Sequence, residues 1–278
     1  MLGKLLKHEF KVTSRYFFPM FLALAAATLL LKLSLIFSED SIFLSLEMMS
    51  LIHFIQGLFV LAYVLVVLGI CFLSVFLLVR RFYVNMFGDE GYLTHTLPVT
   101  GGQLLNCKLI CSLTWIFSLL PAGLLSFFIL FAGTDFFAEA GYILNSFSEE
   151  LYILQTSGFH VGFIIFELII GAVITVVCSL LSYYLAITLG QHFMGNHRLA
   201  GSVLFYFVLS IISSAISSVF TAVLEFSLNS WYSVTVTPDM VQRLLLLVLG
   251  AAILISIIQG LVYYFLTRYL LTKKLNLY

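Results

Sequence analysis

Charge is scarce in this chain. Asp, Glu, Lys and Arg make up 9% of its 278 residues, where a soluble domain carries about 25%. A chain so poor in charge is not a soluble enzyme, a disordered segment, a coiled coil or a nucleic-acid binder. Cysteine is scarce too, with four residues, Cys71, Cys107, Cys111 and Cys178. All lie in apolar runs or beside an expected cytoplasmic end, so no disulfide framework is expected. Cys107 and Cys111 share a helix face, but two thiols without a second ligand pair make a poor zinc site. We expect four small packing residues. No Gly-x4-Gly-Lys-Ser/Thr loop occurs, so the chain has no phosphate loop for ATP. His-Glu-x-x-His and Gly-x-Ser-x-Gly are also missing, and Glu149-Glu150 has no Arg at a useful spacing. We therefore expect no catalytic, cofactor-binding or metal-binding residues, and not an enzyme.

Apolar residues are abundant. Hydrophobic types reach 62%, and the mean hydropathy is +1.13. A membrane-spanning helix needs about 20 mostly apolar residues. About six runs qualify: Phe17–Phe37, Phe54–Val79, Leu109–Phe131, Val161–Leu189, Leu199–Leu224 and Leu244–Leu266. The first run is too long and continuous for a signal-peptide core, so we read an uncleaved helix. No separate soluble domain is visible. Residues 1–278 read as one all-α transmembrane domain of about six spans.

Lys and Arg orient it. Lys4, Lys7, Lys11 and Arg15 precede the first span. Arg80, Arg81 and Lys108 flank the link between the second and third. Arg198 lies between the fourth and fifth, and Arg268, Lys273 and Lys274 are at the C-terminal end. With six spans all fall on one side. The other side has Arg243, and Lys32 near the outer end of the first span, from where it can snorkel. Acids including Glu39, Asp135, Glu149, Glu225 and Asp239 face that second side. Both termini are expected in the cytoplasm.

Residues 2–15 read as an amphipathic helix lying in the membrane interface. Lys4, Lys7, His8, Lys11 and Arg15 form a basic stripe toward anionic headgroups, opposite Leu2, Leu5, Leu6, Phe10 and Val12. Glu9 projects from the middle of the apolar side. Either the helix is frayed and Glu9 is in water, or Glu9 holds a fixed ion pair, with Arg80, Arg81 or a partner subunit.

The link over residues 80–110 is the most organised. Asp89 and Glu90 favour a helix start. Tyr92, Leu93 and Leu97 then share an apolar side, and Pro98 ends the short helix. Thr100 and Gln103 have the spacing of a capping box for the next span.

The run GDEGYLTHTLPVTGGQLLNCKLI resembles the cytoplasmic link of type-2 ABC exporter permeases: an acid, a Gly, a short helix ending in Leu-Pro-Val-Thr, then a Leu- and Lys-containing span start. The opening MLGKLLKHEFK resembles that family's N-terminal elbow helix, over residues 1–16. Motif-level likeness covers about 45 residues, and layout the whole chain. The resemblance implies a second permease, identical or related, and two copies of a separate ATPase that binds ATP and Mg. It implies a coupling helix at residues 88–98, carrying Asp89, Glu90, Tyr92, Leu93, Leu97 and Pro98, which docks into that ATPase. It implies that the second and fifth spans line the path between permeases. With the short loops, which lack Asn-x-Ser/Thr in the outer segments, it also implies a bacterial plasma membrane.

Glu167 is the one acid well inside an expected span, about 10 Å deep at about 1.5 Å per residue. Such acids mark functional sites by default. It reads either as a packing residue or as part of substrate selection or an outer gate. Ser210, Ser213, Ser214, Ser217, Ser218 and Thr221 make a small polar stripe on the fifth span. That stripe suits close helix packing, or a dimer seam or transport path; Glu167, Ser210, Ser214, Ser217 and Thr221 are the candidate path. Gly158 and Gly162 offer a close-packing motif, and Gln259 an interhelical hydrogen bond.

We expect an ATP-driven exporter permease moving an amphipathic or apolar substrate such as a peptide, lipid or drug. The alternatives are a motor-independent secondary transporter, a substrate-binding membrane subunit of an importer, and a membrane anchor for partners.

Overall fold

A computed structural model of the chain describes residues 2–39, 46–88, 91, 99–156, 160–194, 197–229 and 238–273. Among these there are seven helices: α1 (Leu2–Glu39), α2 (Leu46–Phe87), α3 (Gly101–Phe131), α4 (Phe136–Thr156), α5 (Val161–Phe193), α6 (Arg198–Asn229) and α7 (Pro238–Lys273). Six are long and apolar enough to cross a membrane, all but α4. Their outward faces are apolar as well: Phe72 is 71% and Leu247 73% exposed. Water would strip such a surface into aggregates, and lipid is its natural solvent. The chain is a polytopic all-α membrane protein, and its four cysteines are free.

Three elements differ from the sequence expectation. The amphipathic stretch is not a separate interfacial helix: α1 runs unbroken for 38 residues, about 57 Å at 1.5 Å per residue. No Gly or Pro interrupts residues 4–18, and Pro19 removes only one backbone bond within a long helix. Likewise α2 continues through Arg80 and Arg81 to Phe87, two turns past its apolar run. Finally, the expected outer loop after the third span holds a 21-residue helix, α4. Glu139 lies in its first turn, where the helix dipole favours an acid.

Packing groups the residues into two units. The first contains residues 1–81 and 106–141. Its centre is a line of hydroxyls. Thr28 uses its one proton on the Leu24 carbonyl (2.6 Å), so it must accept from Ser126 (2.8 Å). Ser126 must in turn accept from the Tyr63 hydroxyl (2.7 Å). One relay of aligned O–H groups thus joins α2, α3 and α1. Lys32, toward the C-terminal end of α1, is partly buried. Its Nζ donates to the carbonyls of Leu130 (3.0 Å) and Ala132 (2.5 Å), closing the C-terminus of α3, where a cation is favoured.

The second unit contains residues 82–105 and 142–278. Here α5 packs against both α6 and α7. Gly190 lets α5 and α6 meet, since a Cβ on it would lie 2.4 Å from the Ser202 nitrogen. Gln259 donates to Ser213 (3.4 Å), the interhelical bond expected for it. Phe82 stacks on Tyr184 with ring centroids 4.0 Å apart. Of the expected close-packing glycines, Gly158 lies outside the described residues and Gly162 has no neighbouring atom within 4 Å of a Cβ.

Candidate functional site

Two groups of polar side chains stand out, one in each unit. The first is built on α1. Glu9 sits among Leu5, Leu6 and Phe10 and is 6% exposed, whereas Lys4, Lys7, Lys11 and Arg15 on the opposite side are exposed. Arg81 Nε of α2 donates to Glu9 Oε2 (3.0 Å), and Lys108 Nζ of α3 donates to Oε1 (2.5 Å). All three side chains are largely buried. Of the two readings of Glu9, the structure holds the paired one, with Arg81 and an additional cation.

One turn further along α1, Thr13 donates to the Glu9 carbonyl (2.7 Å) and accepts from Trp115 Nε1 (2.8 Å). Phe17 stacks on that indole with centroids 4.4 Å apart. Thus α1 is fixed to α3 through charge, hydroxyl and ring in successive turns.

Sequence reasoning missed Lys108 as a partner because it was counted only as an orienting charge. The available signal was its position. Lys108 lies on the face of α3 that carries Leu104, Cys107 and Cys111, all buried. A lysine on an apolar face needs an acid.

The capping box forms as its spacing predicts. The Gln103 amide donates to Thr100 Oγ1 (3.3 Å), and the Thr100 amide donates to Gln103 Oε1 (3.2 Å). On the other side of the link, α2 ends at Phe87 and the Gly88 amide donates to the Val84 carbonyl (3.1 Å). Asp89, Glu90, Tyr92, Leu93, Leu97 and Pro98, the expected coupling residues, lie outside the described residues.

The second group is a groove in the second unit, of about 460 Å³, between α5, α6 and α7. Ser210, Ser214 and Ser217 line it, as does Gln259. Thr221 does not; it donates back to the Ser218 carbonyl (2.9 Å). Sequence reasoning missed the facing walls, Thr175, Ser179 and Ser182 on α5 and Ser256 on α7. The spacing 175, 179, 182 was the readable signal, since it puts three hydroxyls on one helix face.

Glu167 lies outside that groove but lines a smaller cavity of about 190 Å³, which shares Thr175 and Ser256 with it. Its Oε2 is buried without a hydrogen-bond partner. No Lys or Arg lines either cavity among the described residues. Those residues also contain no group of three or more His, Cys, Asp or Glu able to hold a metal ion.

The chain thus contains a rigid charged clamp and a polar groove with an unpaired carboxylate beside it. No family model, curated protein or solved structure matches the chain.

Proposed function

We propose that this chain is the membrane permease subunit of an ATP-driven exporter, powered by a separate ATPase. The observation that supports this most is the clamp. A device driven from the cytoplasm needs its receiving segment mounted on helices that move as one body. The segment from residue 88 to residue 100 connects α2 to α3 in the chain, and Glu9 ties Arg81 of α2 and Lys108 of α3 to α1. In this reading Asp89, Glu90, Tyr92, Leu93, Leu97 and Pro98 form the coupling helix that docks into the motor. ATP closes two motor subunits, the links of two permeases approach, and the path opens to the other side. The exposed stripe of Lys4, Lys7, Lys11 and Arg15 lies against anionic headgroups. Both termini are cytoplasmic, in a bacterial plasma membrane. The second permease is identical or related. The substrate is amphipathic or apolar, and the groove beside Glu167 is its path. ATP and Mg belong to the partner, and the chain itself catalyses nothing.

A motor-independent transporter is the second reading, favoured by the unpaired carboxylate inside the membrane.

Affinity purification from the native membrane separates the two. A stoichiometric soluble ATPase is expected, and D89A/E90A or L97A should reduce its stimulated hydrolysis at least about tenfold, as loss of a docking hot spot does. No bound ATPase, under detergent conditions that keep other membrane complexes whole, overturns the motor reading.

A further inference from the structure

The groove has a chemical polarity of its own. A Ser or Thr hydroxyl has one proton and two lone pairs. On α5, Thr175 gives its proton to the Gly171 carbonyl (2.8 Å), Ser179 to Thr175 (2.7 Å) and Ser182 to Ser179 (2.7 Å). On α7, Ser256 gives its proton to Ala252 (2.9 Å). Four hydroxyls from two walls have therefore committed their protons to their own helices. What remains on each is a pair of acceptor sites, and all four line the groove.

The carboxylate completes the pattern. Glu167 Oε2 is buried and has no donor. Gly250 of α7 lies beside the carboxylate, with Glu167 Oε1 at ordinary contact distance (3.7 Å) from where a Cβ would be. The cavity it lines meets the groove at Thr175 and Ser256. From Glu167 to Ser182 the α5 axis rises about 22 Å, enough for an extended molecule with one charged end. The third wall, Ser210, Ser213, Ser214 and Ser217 on α6 with Gln259, has hydroxyl and amide protons that can meet polar groups of a ligand. The charge class is set by Glu167: one anionic end, with no Lys or Arg in the walls among the described residues, favours a cation, and a neutral apolar ligand would leave the carboxylate unsatisfied.

We infer that the groove binds amphipathic organic cations carrying a primary or secondary ammonium. The ammonium sits at Glu167, and a donor further along the molecule, such as an amide N–H, meets the oxygens of Thr175 and Ser256 about 12 Å along the α5 axis. The apolar part lies along the groove, with Tyr206 and Tyr263 supplying ring surface. This rests on reading the groove as the substrate path and narrows the substrate to one charge class.

Three probes with one fluorophore test it: dansylcadaverine, a primary ammonium; its neutral N-acetyl derivative; and dansyl-6-aminohexanoate, an anion. Binding is read by fluorescence on the purified full chain, with any co-purifying ATPase, in lipid nanodiscs. The ammonium is expected to bind saturably and at least about tenfold tighter than the other two, the scale of one charge-assisted hydrogen bond. E167Q should remove that preference, and E167D should keep most of it. Equal affinity for the three probes, stronger binding of the anion, or a preference that survives E167Q overturns the inference. The three-probe comparison on the unaltered chain decides the matter even if E167Q does not fold. The assay needs no nucleotide. Ammonium binding without an ATPase would sink the motor and leave the ligand class standing. An ATPase without ammonium selectivity would do the reverse.

Discussion

Two glutamates make opposite arrangements from the same side chain. Glu9 is buried, and Glu167 is partly buried with its Oε2 shielded from solvent. Glu9 meets two cations from two other helices. Among the described residues Glu167 meets none, and its Oε2 has no hydrogen-bond partner. A carboxylate satisfied on both oxygens fixes the helices that satisfy it. A carboxylate left open serves the fold little and is available to something that comes and goes. The contrast separates a charge that ties helices together from one that does not, without appeal to position in the chain.

Removing Glu9 should have the largest effect. E9A leaves Arg81 and Lys108 buried together without an anion, and breaking a buried pair in this way costs about 3–5 kcal/mol. We expect E9A to lose most of its folded, monodisperse protein in a thermal size-exclusion assay. The stronger test is the charge-free triple variant E9L/R81M/K108M, which removes all three members of the clamp. An apolar replacement of a whole buried ion cluster is often neutral, so the triple variant should recover well over half of the loss. If it melts as low as E9A, the clamp owes its strength to shape rather than to charge, and the comparison with Glu167 loses its basis.

The neutral relay gives a middle value. S126A removes the centre of the line from Tyr63 to Thr28. Interhelical hydrogen bonds in membranes average about 0.6 kcal/mol and reach about 1.7. The expected fall in melting temperature is thus clearly smaller than that of E9A. An equal fall would mean that hydroxyls, not charges, organise the first unit.

How far these features are legible in the sequence depends on their range along the chain. The spans are readable because a run of about 20 apolar residues is local, and the box at Thr100 and Gln103 is readable because its partners are three residues apart. Helix α4 is not legible as a span because Glu139, Glu149 and Glu150 interrupt its apolar residues, although a helix needs no continuous apolar run to form. The amphipathic stretch and the first span read as two elements because the residue pattern changes between them, but a change of pattern does not end a helix, and Pro19 does not end this one. Lys108 and Glu9 are 99 positions apart. Nothing local joins them, and only the rule that a lysine on an apolar face needs an acid would have suggested a search. The groove is the same case: each hydroxyl was visible, but the convergence of α5, α6 and α7 is a tertiary fact.

The smallest expected effect is the most telling. Replacing Glu167 by Gln keeps its shape and removes its charge. If the carboxylate is unpaired in the resting protein, its charge contributes nothing favourable to folding. E167Q should then melt at or slightly above the parent temperature, within about 0.5 kcal/mol of it, as substitutions away from structural features do. Transport or probe binding should change in the same variant while stability does not. A destabilisation on the scale of E9A would show that Glu167 is held by a partner in the folded protein, and the two carboxylates would then be two versions of one structural device. A stable variant with altered binding keeps them apart, because a carboxylate that adds nothing to the fold yet changes binding acts through what it binds.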